Sequence, residues 1–282
     1  SIPCPDKAEA DLAYKGISVI CPLGEKFMKN VFSPHFCLIV GLLSLAMGRS
    51  FAADSNLYYF EDNKNSEQPT NSGESPYIFH YRGASHQTTE QHKFGNGGVE
   101  INENSKHRKG LETVLQSTPQ EIHKMSIVVW YRPSNVERVT VLRKRMPMDY
   151  ISNTFSFMYV RNGYDCMFFN FLNGGMNHDA RSSKIRCLIS EEWIHLAVTF
   201  NEGKVAFYVN ALPYGEVDKS SAGETTIQST PGQNVLQAFI DAGSGSYVDD
   251  LGVFFDRALS AEDVEKIYTD GLKDYVTNSA SH

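Results

Sequence analysis

An all-β sandwich closed by one short C-terminal helix is the fold class this sequence predicts. Nearly every apolar segment beyond about residue 53 alternates with period two, the mark of strands with one buried face. Turn chemistry such as Asn162-Gly163 and Asn201-Glu202-Gly203 separates those segments. Only one stretch, near residues 260–272, has helical periodicity, and strands with so little helix pack as a sandwich.

The leader comes first along the chain. Met28 and Lys29 form a short basic start, Phe36 to Met47 is an apolar run, and Ser50-Phe51-Ala52 is a small-x-small site before Ala53. That pattern predicts a secretory signal peptide over 28–52, cleaved near Ala52. The apolar run is too short to span a bilayer before Gly48 and Arg49 interrupt it. Residues 1–27 then read as an upstream extension, 53–274 as one domain and 275–282 as a tail. The expected location is secreted, cell-surface or periplasmic.

The whole chain of 282 residues carries a formal net charge of -7. Its first 52 residues hold five basic and four acidic side chains, so cleavage leaves 21 basic against 29 acidic, a net of -8. An acidic chain without clustered Lys and Arg argues against non-specific binding to nucleic acid or anionic membrane. The run Arg143-Lys144-Arg145 reads as a solvated loop or strand edge. Beyond the leader only Cys166 and Cys187 remain, on neighbouring strand candidates. They form either one disulfide, as exported chains allow, or a pair of unbridged core cysteines.

In "MSIVVWYRP", Met125, Ile127, Val129 and Tyr131 share one face and Val128 and Trp130 the other; with both faces apolar this strand is central. "FSFMYVRNGYDCMFFNFL" reads as a hairpin turning at Asn162-Gly163. Residues 178–183 read as loop. In "EEWIHLAVTFNEGKVAFYVN", Ile194, Leu196, Val198 and Phe200 alternate with Trp193, His195, Ala197 and Thr199 before a three-residue loop ending at Gly203. Residues 220–234 form a polar connection with a short strand near Thr226. The helix follows: Ser260 caps it, Asp263 completes a capping box, and Leu259 staples against Val264. Val264, Ile267, Tyr268 and Leu272 share its apolar face, and Gly271 marks its exit.

Four blocks carry a family resemblance: "KFGNGGVEIN" (Lys93 to Asn102), "MSIVVWYRP", "EEWIHLAVTFNEGKVAFYVN" and "YVDDLGVFFDRALSAEDVEKIY" (Tyr247 to Tyr268). In order and spacing, over Leu57 to Leu272, they resemble laminin-G-like domains of the concanavalin A-like lectin/glucanase superfamily. The resemblance implies an antiparallel two-sheet jelly roll with adjacent N- and C-terminal strands, and one concave sheet as the usual binding face. One departure is Asn210-Ala211-Leu212-Pro213 where the family has Asp-Gly, which puts the tight turn in question. Another is "INENSKHRKG", where Glu103 is the nearest carboxylate to a position often held by Asp.

The resemblance also implies a structural Ca²⁺, with Asp249 matching the last-strand carboxylate and Glu61 or Asp62 the first-strand one. The alternative is that Asp249 accepts backbone amides while Asp250 faces solvent. His195 reads as a packed, hydrogen-bonded core histidine. Glycosidases on this fold need two carboxylates on one strand face, as E-x-D-x-E, and no such motif occurs, so no catalytic residue is assigned. Tyr150, Tyr159, Tyr164 and Tyr214 are candidates for stacking on sugars. The expected function is a non-catalytic recognition module for a glycan or an extracellular protein, using the concave sheet and rim loops. The competing classes are a glycoside hydrolase or lyase of the same superfamily and a structural or adhesive cell-surface protein.

Overall fold

The period-two segments pair into two antiparallel sheets that share one apolar core. The structure, a computed structural model, describes residues 55–58, 80–82, 86–88, 90–101, 110–115, 121–134, 138–145, 153–160, 166–182, 192–229, 234–240, 242–243, 245–255 and 257–279. Its strands are numbered along the chain. The first sheet contains β1 (Ser55–Tyr58), β3 (His86–Thr88), β4 (Gly98–Ile101), β7 (Lys124–Arg132), β12 (Ile194–Asn201), β13 (Lys204–Val209), β14 (Leu212–Asp218) and β17 (Ser246–Phe255). The second contains β2 (His80–Arg82), β5 (Gly110–Leu115), β8 (Arg138–Arg145), β9 (Asn153–Val160), β10 (Cys166–Asn173), β11 (Met176–Arg181) and β16 (Asn234–Ile240). A small pair, β6 (Glu121–Ile122) with β15 (Ile227–Gln228), completes the strands.

The first sheet runs β14-β13-β12-β7-β17-β4-β3, and β1 also pairs with β17. The second runs β11-β10-β9-β8-β16-β5-β2. This is the two-sheet jelly roll, with an N-terminal strand beside the last one. Strand β7 is central, as its two apolar faces require. Met125, Ile127, Val129 and Tyr131 enter the shared core, whereas Val128 joins a second cluster on the sheet's outer face. Residues 178–181, expected as loop, belong to β11, because each pairs with β10 from Phe168 to Phe171.

Two tight turns differ from expectation. Asn201 pairs with Lys204, so the β12–β13 connection is a two-residue turn of Glu202 (φ 50°) and Gly203 (φ 91°) rather than three residues. Left-handed backbone at both positions matches the strand twist. Glycine is also required by space, since a Cβ on Gly203 would lie 2.7 Å from the Glu224 carbonyl oxygen. The second turn is Asn210-Ala211, with φ 49° and 63°, between paired Val209 and Leu212. The tight turn survives the loss of Asp-Gly because Asn tolerates this conformation and its Oδ1 accepts the His195 N–H at 2.8 Å.

The C-terminal helix is α1 (Ala261–Asp270), and its capping box forms as expected. Ser260 Oγ accepts the Asp263 N–H at 3.1 Å and Asp263 Oδ2 accepts the Ser260 N–H at 3.0 Å. A second helix, α2 (Leu272–Ser279), runs from the end of the expected domain into the expected tail, residues 275–282. Gly271, at φ 84°, breaks the first helix, and the chain restarts because Leu272 and Tyr275 bury against β-sheet. Leu259, Val264, Ile267, Leu272 and Tyr275 cluster with Val128, Ala197, Tyr208 and Phe254, all from the first sheet. The two helices therefore cover that sheet's outer face.

Candidate functional site

The outer face of the second sheet follows from strand alternation. Phe155, Phe157 and Tyr159 of β9 and Met167, Phe169 and Phe171 of β10 enter the core. The residues between them, Ser156, Met158, Phe168 and Asn170, face the other way. Among the described residues, no helix residue clusters with this sheet.

At one level of the register the outward residues of six neighbouring strands are all polar. The Cα partners run Glu112 (β5), Gln237 (β16), Arg143 (β8), Ser156 (β9), Asn170 (β10), Asp179 (β11). Strands lie about 4.8 Å apart, so this band is about 24 Å long. Its first half is ordered by its own hydrogen bonds. Arg143 Nε donates to Gln237 Oε1 at 2.8 Å, and Gln237 Nε2 donates to Glu112 Oε2. Those two bonds fix the direction of the Gln237 amide. Ser156 is 2% exposed, and its Oγ has no hydrogen-bond partner among the described residues. The same holds for Thr154 Oγ1, two positions away on β9. Two residues along the strands, the outward row is Thr140, Met158, Phe168 and Arg181. There the Arg181 guanidinium sits 4.7 Å over the half-buried Phe168 ring. Polar band and aromatic shelf are thus adjacent.

Arg143-Lys144-Arg145 corrects an expectation, because it lies in β8 between β9 and β16 and is neither loop nor sheet edge. Arg143 joins the outward band. Lys144 alternates inward, is fully buried, and its Nζ donates to Ser229 Oγ at 2.5 Å. Burial pushes its pKa down to about 7.

Of the tyrosines expected to stack on sugar, Tyr159 is buried in the shared core and Tyr214 packs against that core from β14. Tyr150 and Tyr164 lie outside the described residues. Phe168, which sequence alternation could have assigned to the outward face of β10, is an aromatic beside the band among the described residues. Cys166 is half-buried at the start of β10; Cys187 lies outside the described residues.

Asp249 and Asp250 occupy a β-bulge. Asp249 pairs with Trp130 and Gly252 with Val128, so Asp250 and Leu251 together oppose one residue of β7. Asp250 has φ 45°, which aspartate tolerates, and the bulge turns both carboxylates toward the side carrying the helices. Asp249 Oδ2 accepts the N–H groups of Lys93 at 2.7 Å and Phe94 at 2.9 Å, and its Oδ1 accepts Asp250 N–H at 2.9 Å. Asp250 does not face solvent: it is 5% exposed, and its Oδ2 accepts the N–H of Leu272, the first residue of α2, at 2.9 Å. Burial, with Asp250 beside it, holds the Asp249 carboxyl well above the usual carboxylate range despite its three amide donors.

A calcium shell needs oxygen ligands, whereas the described groups bonded to Asp249 are N–H donors. No group of three potential metal-ligating side chains occurs among the described residues, and Glu61 and Asp62 lie outside them.

His195 is packed, and among the described residues its ring makes no hydrogen bond. It is fully buried, 5.2 Å from the Trp130 ring and 6.0 Å from Tyr268 of α1, and neither ring nitrogen has a partner among the described residues.

The sequence of residues 108–265 matches the family model of the concanavalin A-like lectin/glucanases superfamily. The chain belongs to that superfamily. No curated protein matches it. Among solved structures, it is similar to domain 4 of AbnA, a GH43 extracellular arabinanase from Geobacillus stearothermophilus, in complex with arabinotriose. That similarity has 15% identity and a TM-score of 0.54, covering 77% of this chain and 99% of the other. The binding domain of Botulinum neurotoxin DC, in complex with SialylT, gives 16% identity and a TM-score of 0.52 over 76% and 51%. The binding domain of Paraclostridial Mosquitocidal Protein 1 gives 13% and 0.53 over 76% and 52%. The chain thus spans about half the length of those two. At such identities the similarity shows the shared fold, which hosts binding modules among these relatives.

Proposed function

We propose that this superfamily member is a secreted, non-catalytic recognition module that binds carbohydrate on the outer face of its second sheet and the adjoining rim. The observation that carries this reading is the polar band from Glu112 to Asp179, in which the buried Ser156 hydroxyl has no partner among the described residues. A buried hydroxyl left without a partner is costly, and a ligand hydroxyl or a water that a ligand displaces would satisfy it. Phe168 beside the band offers an apolar ring for a sugar face, and Asn170 a planar amide for its hydroxyls. The arabinotriose bound by the AbnA domain supports a saccharide as ligand class, by analogy only. Glu112 and Asp179 stand at opposite ends of the band, about 24 Å apart on strand spacing. That is too far for the paired carboxylates of a glycosidase, which stand about 5–9.5 Å apart, so recognition is favoured over hydrolysis.

The test is a glycan-array screen of the protein with calcium and with chelator, followed by titration of any hit against Phe168→Ala and Asn170→Ala. Each substitution is expected to weaken binding about tenfold, the loss of one good contact. Absence of binding to any glycan in both conditions, or binding unchanged in both variants, would falsify the carbohydrate reading at this face.

A further inference from the structure

A cavity of about 470 Å³ opens at one end of the sandwich, lined by His123, Asn201, Glu202, Lys204, Ser220 and Thr225. It shares no residue with the polar band of the second sheet. We propose that this cavity is a separate binding site for a small, uncharged, polyhydroxylated ligand such as one or two sugar units.

Its walls are pre-organised by backbone. The Glu202 N–H donates to the His123 carbonyl at 2.8 Å, and the Lys219 N–H donates to the Gly203 carbonyl at 2.9 Å. Ser220 is held by its N–H and its hydroxyl, which donate to Asp218 Oδ1 at 2.9 and 2.5 Å. Gly203 lets the turn and the 220–224 segment approach to a distance that any Cβ would block.

The lining chemistry selects the ligand class. All six side chains are polar, so affinity there comes from hydrogen bonds. One carboxylate and one ammonium, Glu202 and Lys204, give no net charge to attract an ion. Lys204 also faces Asp218 at 4.0 Å, which further reduces its pull on an anion. A carboxylate accepts two O–H groups side by side, the Thr225 hydroxyl and the Asn201 amide both donate and accept, and the Ser220 hydroxyl, whose proton goes to Asp218, accepts. Vicinal hydroxyls on a sugar ring meet that set. The volume lies within the usual range for small-molecule sites, about 300–1,000 Å³.

The test is amide-resolved NMR titration of the full chain with a panel of neutral monosaccharides and disaccharides, and in parallel with glycine as a zwitterion and with inorganic phosphate. Saturable shifts at 201–204 and 220–225 are expected with at least one saccharide. Glu202→Gln and Thr225→Val should each weaken that binding about fivefold or more, with the melting temperature and any binding at Asn170 unchanged. The proposal is overturned if no saccharide shifts these amides at 50 mM (about the weakest useful affinity,), if both variants bind as the parent does, or if only glycine or phosphate binds. Because Asn170→Ala leaves this cavity intact, failure here and failure at the sheet face are read separately.

Discussion

Burial in an apolar setting governs the protonation of His195 more than any partner does. Its ring is enclosed by Trp130 and Tyr268, and desolvation lowers its pKa from 6.5 to about 3. The folded state therefore keeps it neutral where the unfolded chain would bind a proton. Its contribution to stability is fully present above pH 6.5 and is lost as pH falls from 6.5 toward 3, at up to about 1.4 kcal/mol per pH unit. Urea unfolding across this range should show a shallower acid dependence in His195→Leu than in the parent; equal slopes would refute the assignment. Ala211 offers an independent residue-level test. At φ 63° it carries left-handed strain that glycine lacks, so Ala211→Gly should raise stability by about 0.5–1 kcal/mol in the same assay. Any loss of stability would mean that its methyl packs usefully.

Among the elements, α2 depends on a contact made by a strand. Asp250 caps the Leu272 N–H, and the bulge in β17 is what turns that carboxylate toward the helices. An 8-residue helix is marginal alone, so its stability comes from Leu272 and Tyr275 packing on the first sheet. Removing residues 272–282 should lower thermal stability by several degrees and expose apolar surface from Val128 to Phe254, detectable as binding of an apolar dye. A truncated chain with unchanged melting and no dye binding would show that α2 is dispensable. The first helix was legible because its signals are local: cap, staple and apolar stripe all lie within 259–272. The second was not, because the residues that hold it are distant in sequence. For the same reason Asp250 read as solvent-facing, since only the bulge decides its direction.

For the whole molecule, the two sheets serve different purposes. The first is covered by helices and contains the buried Asp249, Trp130 and His195; the second carries the polar band on its other face, where Gln237 and Ser156 are buried. Among the described residues no helix is long and apolar enough to cross a membrane. The sequence by itself determined the jelly roll, because period-two alternation, the turn residues and the four family blocks are statements about neighbours along the chain. It also determined the central position of β7 and the capped start of α1. Only tertiary structure decided the candidate site. Glu112, Gln237, Arg143, Ser156, Asn170 and Asp179 are scattered along the chain from position 112 to position 237, yet antiparallel pairing aligns them at one register level. Strand order, register and the bulges that reset them arise from contacts between distant segments. Those contacts decided that Lys144 is buried, that Arg143 joins the outer face, and that Phe168 stands beside the band.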